Sequence, residues 1–132
     1  MLLSIPQYCV LNVWESVAAL LKKAVDRGQH DYTLEDIQAC LLNRDMQLWV
    51  WVVDNKITAC CVTMVVCYPQ RKICQLPYIA GVGLKQWLSC EDIVIKWAKD
   101  QGCTKLEGFD RGGWLRVLKG WYKVWITIRK DI

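Results

Sequence analysis

A chain of 132 residues, 54% apolar and 23% charged, carries enough apolar surface for one closed core and too little charge for intrinsic disorder. The net charge of +4 is small beside dedicated polyanion binders, and it is unevenly placed. Residues 105–132 hold Lys105, Arg111, Arg116, Lys119, Lys123, Arg129 and Lys130 against Glu107, Asp110 and Asp131, while bases and acids cancel over 1–104.

The first strong periodic segment is 12–26, read as a helix. Val13, Val17, Leu20, Leu21 and Ala24 form its stripe, Asn12 and Glu15 its capping box, and Gly28 its stop. A short strand is expected before it, around 4–10. A second helix spans 34–42, with Thr33 as N-cap and Glu35 and Asp36 at its positive end. The period then changes to two. Three strands are expected at 47–53, 57–68 and 72–80, separated by Asp54-Asn55-Lys56 and Pro69-Gln70-Arg71, which makes an antiparallel meander. A third helix is expected from Ser89, boxed by Asp92, with Ile93, Val94, Trp97 and Ala98 inward and Gly102 at its end. A strand at 105–109, a short helix at 114–118 and a last strand at 122–129 complete the chain. The order predicts a single α/β domain over residues 1–132, with a mixed sheet: a meander followed by two α-β units.

The eight cysteines fall mostly within apolar runs, where free Cys acts as a small hydrophobe. No secretory leader pattern precedes Pro6, and no Cys-x-x-Cys pair exists. A disulfide framework and a metal site are therefore not expected, and the reading is a reducing, non-secreted compartment. The lone His30 sits in a loop sequence. The longest apolar stretch, near 57–68, is strand-like and too short to span a membrane. Among the aromatics, eight are Trp, five Tyr and one Phe. Such a bias suits either an amphipathic core or a contact surface, because Trp and Arg dominate interface hot spots. The candidate surface is Trp49, Trp51, Trp87, Trp114, Trp121 and Trp125 with Arg111, Arg116 and Lys119; about half of these Trp are expected in the core.

The element order, the run Ile95-Lys-Trp-Ala-Lys-Asp-Gln-Gly-Cys103 and the pair Gly120-Trp121 before the last strand resemble the GNAT superfamily of acyl-CoA-dependent N-acyltransferases. The segment from Gly108 to Lys130 is similar to small GNAT-like proteins encoded by tailed bacteriophages. The resemblance implies a pyrophosphate loop of the form Gln/Arg-x-x-Gly-x-Gly/Ala opening the third helix, where backbone N–H groups and the helix dipole face the phosphates. Tyr78-Ile-Ala-Gly81-Val-Gly83 fits the glycines but has Tyr first. Gly81, Gly83, Lys85 and Gln86 would then approach the pyrophosphate of acetyl-CoA. The capping box at Ser89 instead places the helix start beyond the glycines, which would separate loop from helix.

The resemblance also implies a general-acid Tyr four residues before the Gly of the Gly-Phe pair, and here that position is Arg116. It implies a base on the meander, yet 72–80 contains no acid, and Gln75 cannot take a proton. Tyr122 lies beyond the pair. Cys90 near a helix start would be an activated thiol only if exposed. The expectation is therefore a catalytically degenerate GNAT-like phage protein without a cofactor. It would act through contacts with virion or host proteins, in the host cytoplasm or the virion. The alternative is a divergent acetyl-CoA-dependent N-acetyltransferase, and a weaker one is nucleic-acid binding through the basic C-terminal segment. No membrane role is expected.

Overall fold

The computed structural model describes residues 1–28, 31–109 and 113–132. One five-stranded sheet in the order β1-β2-β3-β4-β5 separates two helical layers. Its strands are β1 (Leu2–Ile5), β2 (Gln47–Val53), β3 (Lys56–Cys67), β4 (Lys72–Ala80) and β5 (Lys105–Gly108). The helices are α1 (Val10–Arg27), α2 (Leu34–Leu42) and α3 (Leu84–Asp100). β1 to β4 pair antiparallel, and β5 pairs parallel to β4. This is the α/β fold with a mixed sheet that the sequence predicts. No described helix is long and apolar enough to cross a membrane.

Local chemistry explains most boundaries. Thr33 Oγ1 accepts the Asp36 N–H at 3.1 Å, and Asp36 accepts the Thr33 N–H at 2.9 Å, a reciprocal box that starts α2. Val53 pairs with Lys56 across Asp54-Asn55, whose φ values of 51° and 63° match the right-handed twist of the two strands. α1 begins earlier than expected, at Val10. A 3₁₀ turn, Gln7–Cys9, leads straight into it, so Asn12 lies inside the helix and caps nothing.

Period-two alternation sorts β2 between two cores. Leu48 and Val50 meet Val17, Leu21, Ile37 and Leu41 beneath α1 and α2. Trp49 and Trp51 meet Trp87, Cys90 and Val94 beneath α3. The inner face of α3 is Trp87, Cys90, Val94 and Ala98, with Trp97 half-buried beside it; of the expected residues only Ile93 falls outside, 49% exposed and one position off that stripe. The Trp49 indole donates to Thr63 Oγ1 at 3.0 Å, which pairs off the one buried polar side chain among the described residues. All eight cysteines are free thiols, five of them buried.

The C-terminal expectations fare differently. The short helix is a single 3₁₀ turn, Trp114–Arg116. Residues 122–129 form no strand, and every one of them is exposed. Arg111 and His30 lie outside the described residues.

Candidate functional site

β4 carries the feature that opens the site. Val62 pairs with Tyr78 and Met64 with Gln75, so the single residue Thr63 faces both Leu76 and Pro77. The extra residue is a bulge, which bends its strand. Proline suits this place, because it has no N–H to give a ladder. Pairing between β4 and β5 also ends here, at Leu76 opposite Gly108. β4 continues through 77–80 without that neighbour. Two parallel strands thus part at their carboxyl ends, the place where open α/β sheets bind ligands.

The chain reaches the rim of this split through Gly81-Val82-Gly83 and turns at once into α3. Gly81 has φ +76°, and a Cβ there would stand 2.8 Å from the Thr58 carbonyl oxygen. Only glycine fits both constraints. Gly83, with φ −86°, is the residue before the helix, and Gln86 Oε1 accepts its N–H at 2.8 Å. The helix therefore starts at Leu84, not at Ser89. The Ser89 hydroxyl donates back to the Gln86 carbonyl at 2.7 Å, a bond within the helix, and caps nothing. The expected separation of glycines from helix does not occur. First-turn geometry leaves the amides of Leu84, Lys85 and Gln86 without a helical acceptor. Lys85 and Gln86 are exposed beside them. Partial positive charge from the helix axis adds to the Lys85 ammonium at this corner.

A carboxylate missing from the meander arrives from the neighbouring strand. Gln75 on β4 lies opposite Glu107 on β5, one pair below the split. Gln75 Nε2 donates to Glu107 Oε1 at 2.6 Å, and both side chains are half-buried. Cys74 packs with Ala98 and Leu106 under α3, so alternation places Gln75 and Glu107 on the other face, toward α1. On that face, past the bulge, Tyr78 meets Tyr32 edge-on at 6.3 Å. Sequence reading missed Glu107 because an acid was sought on the meander alone. The signal was its place two residues into a parallel strand, which only the register converts into a neighbour of Gln75.

The other candidates separate. Trp87 is 2% exposed and belongs to the core, so it cannot serve as a surface anchor: α3 turns that stripe onto the sheet. Trp49 and Trp51 are buried with it. Trp114 and Trp121 are half-buried and rest against the same cluster. The Trp121 indole donates to Glu91 Oε1 on α3 at 2.6 Å. Arg116 and Lys119 are exposed near them, and Trp125 is 82% exposed. Cys90 is packed, and its Sγ–H donates to the Gln86 carbonyl at 3.0 Å. Burial pushes its thiol up, with contacts from Trp51 and Ser89 pulling the other way. That is the reverse of an activated nucleophile. Burial likewise raises Cys60 and Cys74 to about 12.

No family profile and no curated protein sequence matches the chain. Solved structures do. An aminoglycoside acetyltransferase from an uncultured soil metagenomic sample superposes with a TM-score of 0.72 at 11% identity, over 100% of this chain and 95% of that one. An acetyltransferase from Trypanosoma brucei gives 0.70 at 12% identity, over 100% and 99%. A ribosomal-protein-alanine N-acetyltransferase from Brucella melitensis biovar Abortus 2308 gives 0.63 at 12%, over 97% and 98%. The fold is that of the GNAT acetyltransferases.

Proposed function

We propose that the protein is an acyl-CoA-dependent N-acyltransferase, with the substrate thioester held where β4 and β5 part. The observation that carries this reading is the start of α3 at Leu84, directly behind Gly81-Val82-Gly83. The corner fits a pyrophosphate. Gly81 brings the backbone round sharply, Gly83 adds no side-chain bulk, and the first-turn amides with Lys85 present donors to an anion. Bound there, CoA would supply an acyl group activated as a thioester.

The chain's own residues would do the rest. Where β5 leaves β4 after Leu76, the β4 strand would line the path of the ligand. Glu107 would take the proton that an attacking amine must lose, and Gln75 would hold its carboxylate in place. Glu107, Tyr78 and Tyr32 on that face suit a cationic or hydroxyl-rich amine. Arg116 stands where the GNAT resemblance puts a tyrosine acid, so the departing thiolate would leave toward a guanidinium, which stabilises the anion without giving up a proton.

Calorimetric titration with acetyl-CoA at low and at moderate salt tests the reading. Saturable binding that persists at moderate salt and is weakened by Lys85→Glu is expected. Absence of both heat and thermal stabilisation at millimolar CoA would overturn it. Should CoA bind, Glu107→Gln is expected to lower kcat by roughly 10²-fold, leaving CoA affinity unchanged.

A second reading has its own observation: Trp125, Ile126 and Ile128 are 82%, 70% and 89% exposed. A degenerate domain working through protein contacts would use such a segment. It would bind no CoA, so the same titration separates the two.

A further inference from the structure

At the end of the sheet opposite the Gly81 corner, β3 outruns β2. β2 begins at Gln47, opposite Thr63, while β3 continues to Cys67 with β4 beside it. The hairpin fixes which way the extra backbone points. Tyr68 and Arg71 exchange both N–H···O bonds across Pro69-Gln70, at 2.8 and 3.3 Å. In an antiparallel ladder such pairs alternate with pairs that exchange none. The pair Val66–Ile73 therefore carries bonds, and the N–H and C=O of Val65 and Cys67 point away from β4, into the place that β2 has left. Lys72, opposite Cys67, obeys the same rule: its carbonyl faces β5 and accepts the Thr104 N–H at 3.0 Å. The chain before β2 is turned elsewhere, since the amides of Asp45 and Met46 both donate to the Cys40 carbonyl in α2, at 2.9 and 3.2 Å. A cleft of about 600 Å³ lies here, within the size range of ligand sites. Val65 and Trp97 give it apolar walls, and Arg44, Asp45 and Lys72 stand exposed around it.

We infer that this cleft takes an extended acidic peptide of a protein partner, added as a strand to β3 beside Val65 and Cys67. Backbone geometry selects an extended chain. Two N–H and two C=O groups recur at alternate positions along an open edge, a repeat that a second strand meets group for group. The free stretch, Met64–Cys67, covers about 14 Å at ~3.4 Å per residue, room for about four residues. Gln47 closes one end of it: its Nε2 donates to the Ile5 and Leu48 carbonyls at 2.8 and 2.9 Å and ties β1 to β2. The added strand must therefore stop or turn at Gln47, and it runs on past Cys67. Charge selects the peptide's sign. Arg44 and Lys72 have no ion-pair partner among the described residues, and Asp45 is the one acid lining the cleft. Arg71 adds an exposed cation at the adjoining turn. Nearby carbonyls at the end of α3 are already taken by the Gln101, Gly102 and Cys103 amides, so they offer little to oppose an anion. The inference stands independently of acyl transfer, because the cleft and the glycine corner lie at opposite ends of β4.

Fluorescence anisotropy on the full chain with two labelled hexapeptide pools tests it, together with amide exchange. One pool alternates Val or Leu with Glu or Asp, and the other has Lys or Arg in place of the acids. The acidic pool is expected to bind at least ~10-fold more tightly than the basic one and to slow exchange of the Val65 and Cys67 amides. Arg44→Glu combined with Lys72→Glu should erase that preference. Cys67→Pro removes an edge N–H that β4 does not use, at an exposed position where a strand accepts proline. It should weaken acidic binding at least ~10-fold with an unchanged circular dichroism spectrum. Should that variant misfold, backbone N-methylation of the acidic pool removes the same bonds from the other side and should have the same effect. No binding of either pool up to millimolar peptide would overturn the inference. So would equal binding of the two pools, protection confined to the amides that open α3, or acidic binding indifferent to both the proline and the N-methyl groups.

Discussion

β2 and the segment 122–129 are built alike, and only one of them is a strand. Both alternate bulky apolar residues, and both carry Trp at their centre. β2 has β1 on one side and β3 on the other, α1 above and α3 below, and Leu48, Trp49, Val50 and Trp51 are all buried. The C-terminal segment follows a single 3₁₀ turn, and among the described residues its hydrogen bonds go to side chains, Lys105 at one end and Asp31 at the other. Strand propensity measures how a side chain fits a half-buried pleated surface, so it acts only where that surface exists. The lesson extends to the tryptophans. A residue type favoured at interfaces is equally favoured in a core, and position decides between them.

The largest expected effect would break the contrast if it failed. Trp87→Ala empties a fully buried site between α3 and the sheet. It should cost about 3–5 kcal/mol in urea unfolding, whereas Trp125→Ala should stay within about 0.5 kcal/mol. Equal losses would mean that the tail is packed after all. At the seam between the two regions, Gly81→Ala meets the Thr58 carbonyl at a positive φ. A loss of about 2 kcal/mol is expected, against less than about 1 kcal/mol for Gly83→Ala. The pair separates glycine kept for packing from glycine kept for ligand approach, since only the second should weaken CoA binding out of proportion to stability.

The smallest effect concerns the tail. The Arg129 guanidinium holds the Asp31 carboxyl below its ordinary value of 3.8. A depressed acid gives its stabilisation above the unfolded value and loses it as the pH falls through the lowered one. The contact is therefore kept at neutral pH and lost in acid below 3.8. Amide exchange over 122–129, corrected for intrinsic rates, should rise there while α1 and β3 stay protected. No change would show that the tail is anchored elsewhere. Salt near 1 M should loosen it in the same way at neutral pH.

Much of the fold was legible from local pattern. The meander, α2 with its Thr33 box and the mixed character of the sheet follow from alternation, turn residues and chain order. The errors have physical sources. Ser89 and Asp92 have the spacing of a capping box, but helix residues on either side already make their backbone bonds, so the motif has no free amide to cap. Gln86, three residues after Gly83, was the working signal. The site was only half legible. Gly81 and Gly83 are visible in sequence, while Glu107 is not, because its meaning arises from a neighbour 32 residues away.

By itself, the sequence determined which segments have a face to bury, where the chain must turn, and that its glycines cluster after β4. These are properties of a few adjacent residues and need no partner. The tertiary structure alone decided that β4 bulges at Leu76-Pro77 and leaves β5, that Glu107 stands beside Gln75, that three of the six candidate surface tryptophans are core, and that the last strand-forming segment pairs with no strand among the described residues. Each of these depends on register or burial, which are set by contacts between residues far apart in sequence.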